Sequence, residues 1–336
     1  MRELLSKLCT IPAVSGREDA LTDFILNEIK DFCEAQVDQN GNIICFKKGA
    51  QSPLKKVLID AHMDEVGVIA SSFTSDGFVK FSTVGGIETA VMLCRGVVFE
   101  NGVRGVVGMK PVHLSAPEER KKYPSADSLY IDIGAASREE AESLISIGDT
   151  AVFESEVVLM GNRIKARAVD DRAGVACLIT LLKQESPFDF YATFTVQEEV
   201  GCRGAQTAAF AVDPDVAIAL EATTAADLHG VGEEKQVCVL GGGPAVSFMD
   251  KGNLYDRAIY DFAINSGLPC QPKAFVAGGN NSRAFALSKE GAATAVISLP
   301  CRYIHSPSCV ADLDDFDAML PLCKALLKFA AMGTDV

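Results

Sequence analysis

The chain lacks any apolar run long enough to cross a membrane. No stretch approaches the ~18 residues that a membrane-spanning helix needs. The opening residues Met1–Ser6 do not follow the basic-then-apolar order of a signal peptide. We therefore expect a cytoplasmic globular protein with no membrane partner.

Paired cysteines and an excess of basic charge are absent as well. The eleven cysteines are odd in number, scattered, and never spaced as Cys-x-x-Cys. This pattern excludes a zinc ribbon and argues for reduced thiols rather than a disulfide framework. The 31 Lys and Arg residues face 45 Asp and Glu residues, a net charge of −14. This balance speaks against a nucleic-acid partner, and we interpret it mainly as a contribution to solubility.

Patterns near both ends of the chain indicate an α/β domain. Ser15–Glu18 can cap a helix whose apolar residues follow a 3.6-residue period. Lys56–Ala61 is typical of a buried strand that delivers His62 at its carboxyl end. Beyond residue 162 helices and strands alternate again, and the last helix contains Pro321, which must introduce a kink or mark the true start.

Residues 68–162 have a different pattern, with short β segments separated by glycine turns. One helix follows the capping box Ser137–Glu140. We infer a small β-rich domain inserted into the α/β domain. The predicted domains are therefore 1–67 plus 163–336, and 68–162, which suits a chain of 336 residues.

His62 and Asp64 are two positions apart on an extended segment, so their side chains point to the same side. His62 can give one ring nitrogen to a metal while Asp64 holds the other N–H. A single His-x-Asp is more often a structural histidine that bonds to its neighbour.

Two pairs of adjacent carboxylates follow apolar segments. Asp170-Asp171 precedes a predicted helix over 172–183, where a carboxylate can bridge two cations or the pair can simply double an N-cap. Glu198-Glu199 follows a predicted strand over 191–196. One of these glutamates can bind metal while the other acts as general base, and a solvated acidic loop is the alternative.

Glu221 and His305 complete the candidate set. Glu221 ends the apolar run 216–220, where a charge is costly unless it is paired or metal-bound. His305 ends Pro300–His305 and precedes a constrained Ser-Pro pair. The chain has only four histidines, and two of them follow strands as the acidic residues do. Together these positions predict a metal centre, while His113 and His229 are interpreted as surface or supporting residues.

Several stretches, in this order, resemble the M42 family of metal-dependent aminopeptidases, the glutamyl and tetrahedral aminopeptidase group. The resemblance covers nearly the whole chain. The matching stretches are Ala61–Gly67, Ser128–Gly134 with Ser137–Ala141, Val169–Gly174, Gln197–Ala205 and Pro300–Pro307.

The resemblance implies two divalent metal ions per subunit. Their ligands would be His62 and Glu221 for one ion, Glu199 and His305 for the other, and Asp170 as the bridge. Glu198 would be the general base and Asp64 would orient His62. A ligand set of nitrogen and oxygen atoms permits Zn, Co or Mn.

The resemblance also implies a fold and an activity. The fold would be α/β, a zinc-peptidase-like mixed sheet flanked by helices, with the insert as a barrel-like dimerisation domain. The protein would form homo-oligomers, from a dimer up to a dodecamer. It would release N-terminal amino acids from peptides with a free N-terminus, through a metal-activated water and Glu198 as general base.

Two departures from the family pattern leave alternatives open. Glu221 stands where the family often has Asp, and Gly278–Arg283 replaces a loop of the Gly-Gly-Thr-Asp-Ala type. One alternative is a deacylase or carboxypeptidase-like metallohydrolase on the same core. The other is a catalytically weak, metal-stabilised assembly protein. A glycosidase has little support, because it needs a carboxylate pair but no histidine ligands.

Overall fold

The computed structural model describes residues 1–114 and 123–333. The helices are α1 (Arg2–Leu8), α2 (Asp19–Ile29), α3 (Thr89–Met92), α4 (Arg138–Leu144), α5 (Val169–Leu182), α6 (Arg203–Val212), α7 (Arg257–Asn265), α8 (Ser282–Ala286) and α9 (Leu313–Met332). Within the described ranges, none of these helices is both long and apolar enough to span a membrane.

The strands form one large sheet and one barrel. They are β1 (Glu34–Val37), β2 (Ile43–Lys47), β3 (Val57–His62), β4 (Gly67–Phe73), β5 (Val79–Val84), β6 (Gly96–Phe99), β7 (Arg104–Met109), β8 (Leu129–Asp132), β9 (Thr150–Phe153), β10 (Val158–Met160), β11 (Arg163–Ala166), β12 (Phe190–Thr195), β13 (Val216–Thr224), β14 (Ala245–Val246), β15 (Gln271–Pro272), β16 (Ala293–Arg302) and β17 (Cys309–Asp312).

The large sheet has the order β1-β2-β12-β3-β13-β16-β17-β11-β10, and β14 and β15 pair beside β16. Its four central strands, β12, β3, β13 and β16, run parallel. Every residue of β3 is buried, as expected for a parallel strand covered on both faces. The four parallel strands therefore end at the same edge of the sheet.

Helices cover both faces of this sheet, because alternate strand residues point to opposite sides. Ile59 packs in the main core with residues of α1, α2, α5 and α9. Its neighbour Leu58 packs in a smaller core with residues of α6 and with Phe285 of α8. The mixed sheet flanked by helices confirms the predicted α/β fold.

The β-rich part is a closed antiparallel barrel with the order β4-β5-β8-β7-β6-β9. Its interior is apolar, and closure leaves no free strand edge. The barrel strands run from Gly67 to Phe153, and β10 already pairs with β11 of the large sheet. The large sheet thus resumes before residue 162.

The predictions about individual helix ends had different outcomes. The predicted N-cap is present, since Ser137 Oγ accepts from the Glu140 amide at 3.2 Å, while Glu140 Oε2 accepts from the Ala136 amide at 2.7 Å. The predicted cap by Ser15 is wrong, because α2 begins after Glu18 and Ser15 Oγ donates to Asp64 instead. Pro321 lies inside α9 and does not mark its start.

Candidate metal centre

The predicted site residues converge at the carboxyl edge of the parallel strands. His62 is the last residue of β3 and is paired with Thr195, the last residue of β12. Glu198 and Glu199 follow β12 after two residues, and Glu221 lies in β13 three residues before its end. Such an edge is where α/β sheets bind ligands.

Asp170 lies between the two imidazoles. Its Oδ1 is 3.2 Å from His62 Nε2, and its Oδ2 is 3.2 Å from His305 Nε2. Each carboxylate oxygen therefore faces a different histidine. This is the arrangement that a carboxylate bridging two cations requires.

The remaining carboxylates flank this pair. Glu221 Oε2 is 3.7 Å from His62 Nε2, and Glu199 Oε1 is 3.3 Å from His305 Nε2. The structure thus brings all five predicted ligands together. Ligand atoms of His62, Asp170 and Glu199 lie within 4.8 Å of one another, as do those of His62, Asp171 and Glu221.

Asp171 was not predicted as a ligand. It is fully buried, and its Oδ1 accepts from the Gly174 amide at 2.9 Å, so it caps the regular part of α5. Its Oδ2 and Glu221 Oε1 are buried and have no hydrogen-bond partner among the residues that the structure describes. A buried carboxylate oxygen is costly unless a donor or a cation faces it. These oxygens, with the imidazoles, fit a divalent metal ion.

Backbone carbonyls orient both imidazoles. His62 Nδ1 is 3.1 Å from the Asp64 carbonyl oxygen, and His305 Nδ1 is 2.8 Å from that of Gly86. If Nδ1 carries the proton and donates it, each Nε2 keeps its lone pair for a metal. Gly86 lies between β5 and α3, so the barrel supplies one of these two carbonyls.

The Asp64 carboxylate mainly holds the acidic pair. We expected it to bind the His62 ring, but the nearest contact there is 3.5 Å. Instead it accepts from the amides of Glu198 and Glu199 at 2.8 and 3.1 Å, and from Ser15 Oγ at 2.6 Å. Asp64 therefore couples the position of β3 to that of the Glu198-Glu199 loop.

Burial and mutual repulsion shift the pKa values of the carboxylates. Burial, together with the charges of Asp170 and Asp64, raises the pKa of Glu198 to about 7. Burial and neighbouring carboxylates raise the pKa values of Glu199 and Glu221 well above the usual range. Positive charge at this place would relieve this repulsion.

The pKa values of both histidines are raised as well, because the neighbouring carboxylates favour the charged imidazolium. Burial alone would lower the pKa of His305, but its hydrogen bond to Asp170 and the charge of Glu199 raise it to about 10. The pKa of His62 is raised against the effect of burial by its hydrogen bond to Asp170 and by the nearby carboxylates of Asp64 and Glu221. The same two imidazoles lower the pKa of Asp170 despite its burial.

Several supporting contacts were missed by the sequence analysis. Cys202 Sγ donates to Glu198 Oε1 at 3.4 Å, and Gly86 and Ser15 act as described above. Ser15 is 49 residues from Asp64, and Gly86 is 219 residues from His305. No local sequence pattern predicts such contacts. His113 and His229 are both exposed.

A cleft of about 540 Å³ opens beside the site. Besides the acidic residues and histidines, its lining includes three cations, Lys251, Lys273 and Arg283. Lys273 is buried and its Nζ donates to the Ala277 carbonyl at 2.9 Å. Burial lowers its pKa.

Comparisons with known proteins agree with this site. The family described as M42 glutamyl aminopeptidase matches residues 41–322. The lysyl aminopeptidase of Pyrococcus furiosus is 35% identical over 343 residues, covering 97% of this chain and 96% of that protein.

Two solved structures are similar over nearly their whole length. An aminopeptidase from the archaeon Desulfurococcus kamchatkensis has a TM-score of 0.92 and 37% identity, covering 98% of this chain and 94% of that one. The Pyrococcus horikoshii TET1 peptidase, which can assemble into a tetrahedron or a large octahedral shell, has a TM-score of 0.85 and 33% identity, covering 99% of each chain. The chain therefore belongs to the M42 glutamyl aminopeptidase family and is a peptidase.

Proposed function

We propose that the protein is an aminopeptidase that uses two divalent metal ions to release N-terminal residues from peptides. The observation that carries this proposal is Asp170, whose two oxygens face His62 and His305 at 3.2 Å each. The names of the relatives support the same class of reaction. The donor atoms permit Zn, Co or Mn.

His62 and Glu221 would hold one ion, Glu199 and His305 the other, and Asp170 both. When bound, the ions would lower the pKa of a water molecule and polarise the scissile carbonyl. A carboxylate oxygen of Asp171 lies within 4.8 Å of ligand atoms of His62 and Glu221, so Asp171 could contribute to the first of these sites.

Glu198 is suited to move the proton in this reaction. Its carboxylate lines the cleft, where it can accept a proton from water and return it to the leaving amine. Asp64 fixes the loop on which it lies by accepting from its amide at 2.8 Å. Asp64 would therefore act by positioning Glu198 as well as His62.

The charges of the cleft favour particular peptides. Its carboxylates attract a positively charged α-amino group, which supports an exopeptidase that needs a free N-terminus. The side chains of Lys251 and Arg283 have no hydrogen-bond or ion-pair partner among residues 1–114 and 123–333. We therefore expect acidic N-terminal residues to be cleaved in preference to lysine. This preference is the one that the name of the glutamyl aminopeptidase relative indicates, and it differs from that of the lysyl aminopeptidase relative.

We also propose that the protein forms homo-oligomers through its barrel. The similarity to the TET1 peptidase, which can assemble into a tetrahedron or a large octahedral shell, supports a self-assembling chain. The barrel is connected to the large sheet at both of its chain ends, between β3 and β10.

The test is Glu198→Gln in the holoenzyme, with Glu142→Gln on the exposed surface as matched control. Turnover of aminoacyl p-nitroanilides should fall by about 10²–10⁴-fold in Glu198→Gln while metal content stays unchanged. Near-normal turnover would eliminate the base assignment.

A substrate panel separates the alternatives. Chelation should abolish turnover and added Zn or Co should restore it, with a glutamyl substrate cleaved faster than a lysyl one. Equal cleavage of an N-acetylated peptide would favour the deacylase or carboxypeptidase-like enzyme. Metal that raises the melting temperature without turnover of any peptide or acyl amide would favour the assembly protein.

A further inference from the structure

The loop Gly278–Arg283, which departs from the family pattern, lines the cleft beside the candidate metal centre. We propose that Asn281 is a positioning residue, whose side-chain amide fixes this loop against the two strands that deliver His62 and Glu198. The inference rests on the proposed function, since it assumes that the cleft receives the peptide.

The Asn281 side chain is fully buried behind the cleft. Its Nδ2 donates to Asp60 Oδ2 at 2.9 Å and to Thr195 Oγ1 at 2.8 Å. Asp60 lies in β3 two residues before His62. Thr195 is paired with His62 and ends β12 three residues before Glu198. One amide group thus contacts both strands immediately behind the reacting groups.

This contact needs a hydrogen-bond donor from residue 281. Asp60 is fully buried, and its carboxylate also accepts from Thr193 Oγ1 at 2.7 Å and from Thr195 Oγ1 at 3.1 Å. Each of its partners is therefore a donor. An ionised aspartate at 281, as in a Gly-Gly-Thr-Asp-Ala-type loop, has no donor to offer Asp60, and two buried carboxylates this close repel each other unless they share a proton. Asp60 and Asn281 therefore form a matched pair in this chain.

A separate contact holds the other side of the loop. Asn280 Nδ2 donates to Asp250 Oδ2 at 3.1 Å and to the Tyr255 hydroxyl at 2.9 Å. The Ser282 amide donates to Asn280 Oδ1 at 2.9 Å. Asn280 thus ties the loop to the segment that carries the cleft residue Lys251. Within the described part of the chain, the hydrogen bonds that tie the loop to β3 and β12 are those of Asn281.

The test is a reversed pair in the metal-loaded enzyme, made of Asn281→Asp, Asp60→Asn and the double variant. Asn101→Asp, in a barrel turn, is the matched control. We expect Asn281→Asp to raise KM and lower kcat/KM by about tenfold or more, because a charged hydrogen bond is lost and a repulsion is introduced. In the double variant the amide of residue 60 would donate to the carboxylate of residue 281, and kcat/KM should return to within about threefold of wild type.

Three outcomes would overturn the proposal. The first is unchanged kcat/KM in Asn281→Asp. The second is a double variant no more active than Asn281→Asp. The third is a double variant whose melting temperature recovers while kcat/KM does not, which would make the contact merely structural.

Two further results keep the test decisive. If Asn281→Asp does not fold, Asn281→Ala replaces it in the test. The KM of Asn281→Ala should rise by a similar factor, and adding Asp60→Asn should not restore it. Recovery of KM in that double variant would contradict the pairing. A wild-type enzyme that cleaved no peptide would overturn the proposed function together with this inference. If the wild-type enzyme is active but the double variant shows no recovery of kcat/KM, only the inference about Asn281 would be overturned.

Discussion

The large sheet and the barrel differ in where their strands end. In the barrel, neighbouring strands are antiparallel, so successive strands end at opposite rims. In the centre of the large sheet, four parallel strands end at one edge, and His62, Glu198 and Glu221 meet there. Convergent strand ends, rather than the amount of β structure, bring the chemistry together.

The barrel nevertheless contributes to the site through its backbone. The Gly86 carbonyl lies 2.8 Å from His305 Nδ1, and a Cβ on Gly85 would lie 3.2 Å from the Cβ of Glu199. The large sheet thus supplies the reactive side chains and the barrel constrains two of them. The predictions below test this division.

The largest effect should come from Asp170→Asn. Its two oxygens are not equivalent after the change, since one becomes an NH₂ donor that cannot bind a cation. We expect metal content to fall and kcat to drop by roughly 10³-fold, as for the loss of about 4 kcal/mol of transition-state stabilisation. Asp149→Asn, the same change in the barrel, should leave both unchanged. Equal losses of metal content and kcat in the two variants would contradict the proposed division of roles between the large sheet and the barrel.

A smaller effect should follow Gly85→Ala compared with Gly102→Ala. Both glycines have positive φ, +79° and +88°, so each alanine should cost about 1 kcal/mol of stability. Only at Gly85 would the new Cβ crowd Val66, at 2.7 Å, and Glu199. We expect kcat/KM to fall roughly tenfold for Gly85→Ala and to be unchanged for Gly102→Ala. Similar kinetics for both would show that the barrel loop does not constrain Glu199.

The smallest effect concerns how the stabilisation of the folded protein by metal depends on pH. The folded-state pKa of Glu198 is raised from 4.5 to about 7, so its contribution to stability falls as pH rises through that window. The pKa of His305 is raised from 6.5 to about 10, so its contribution is present below pH 6.5 and is lost as pH rises toward 10. The metal-free protein should therefore be less stable near pH 8 than near pH 6.

Metal ions compete with these protons, so their stabilising effect should have the opposite trend. The increase in melting temperature on adding Zn should be larger near pH 8 than near pH 6, and it should vanish in Asp170→Asn. An increase that is the same at both pH values would show that these groups do not bind the metal.

Much of the fold could be predicted because its signals are local. The apolar run before His62 corresponds to β3. The glycine turns of the barrel segment and the capping box at Ser137 are equally local patterns. The five metal-ligand candidates could be proposed because each follows or lies in an apolar strand or opens a buried helix.

The remaining features depend on contacts between distant segments. Ser15 has the composition of an N-cap, but its hydroxyl bonds to Asp64 because the chain folds back over β3. Asp171 resembles half of a doubled cap, and only the tertiary structure brings its free oxygen near Glu221. The partnership of Asp60 with Asn281 joins residues 221 positions apart. Pattern and propensity carry no information about such pairs.

Anomalous diffraction from crystals grown with Zn would test the central claim most directly. We predict two peaks on opposite sides of the Asp170 carboxylate, one beside His62 and Glu221 and one beside His305 and Glu199. A single peak away from Asp170, or no peak between these imidazoles at saturating Zn, would contradict the account.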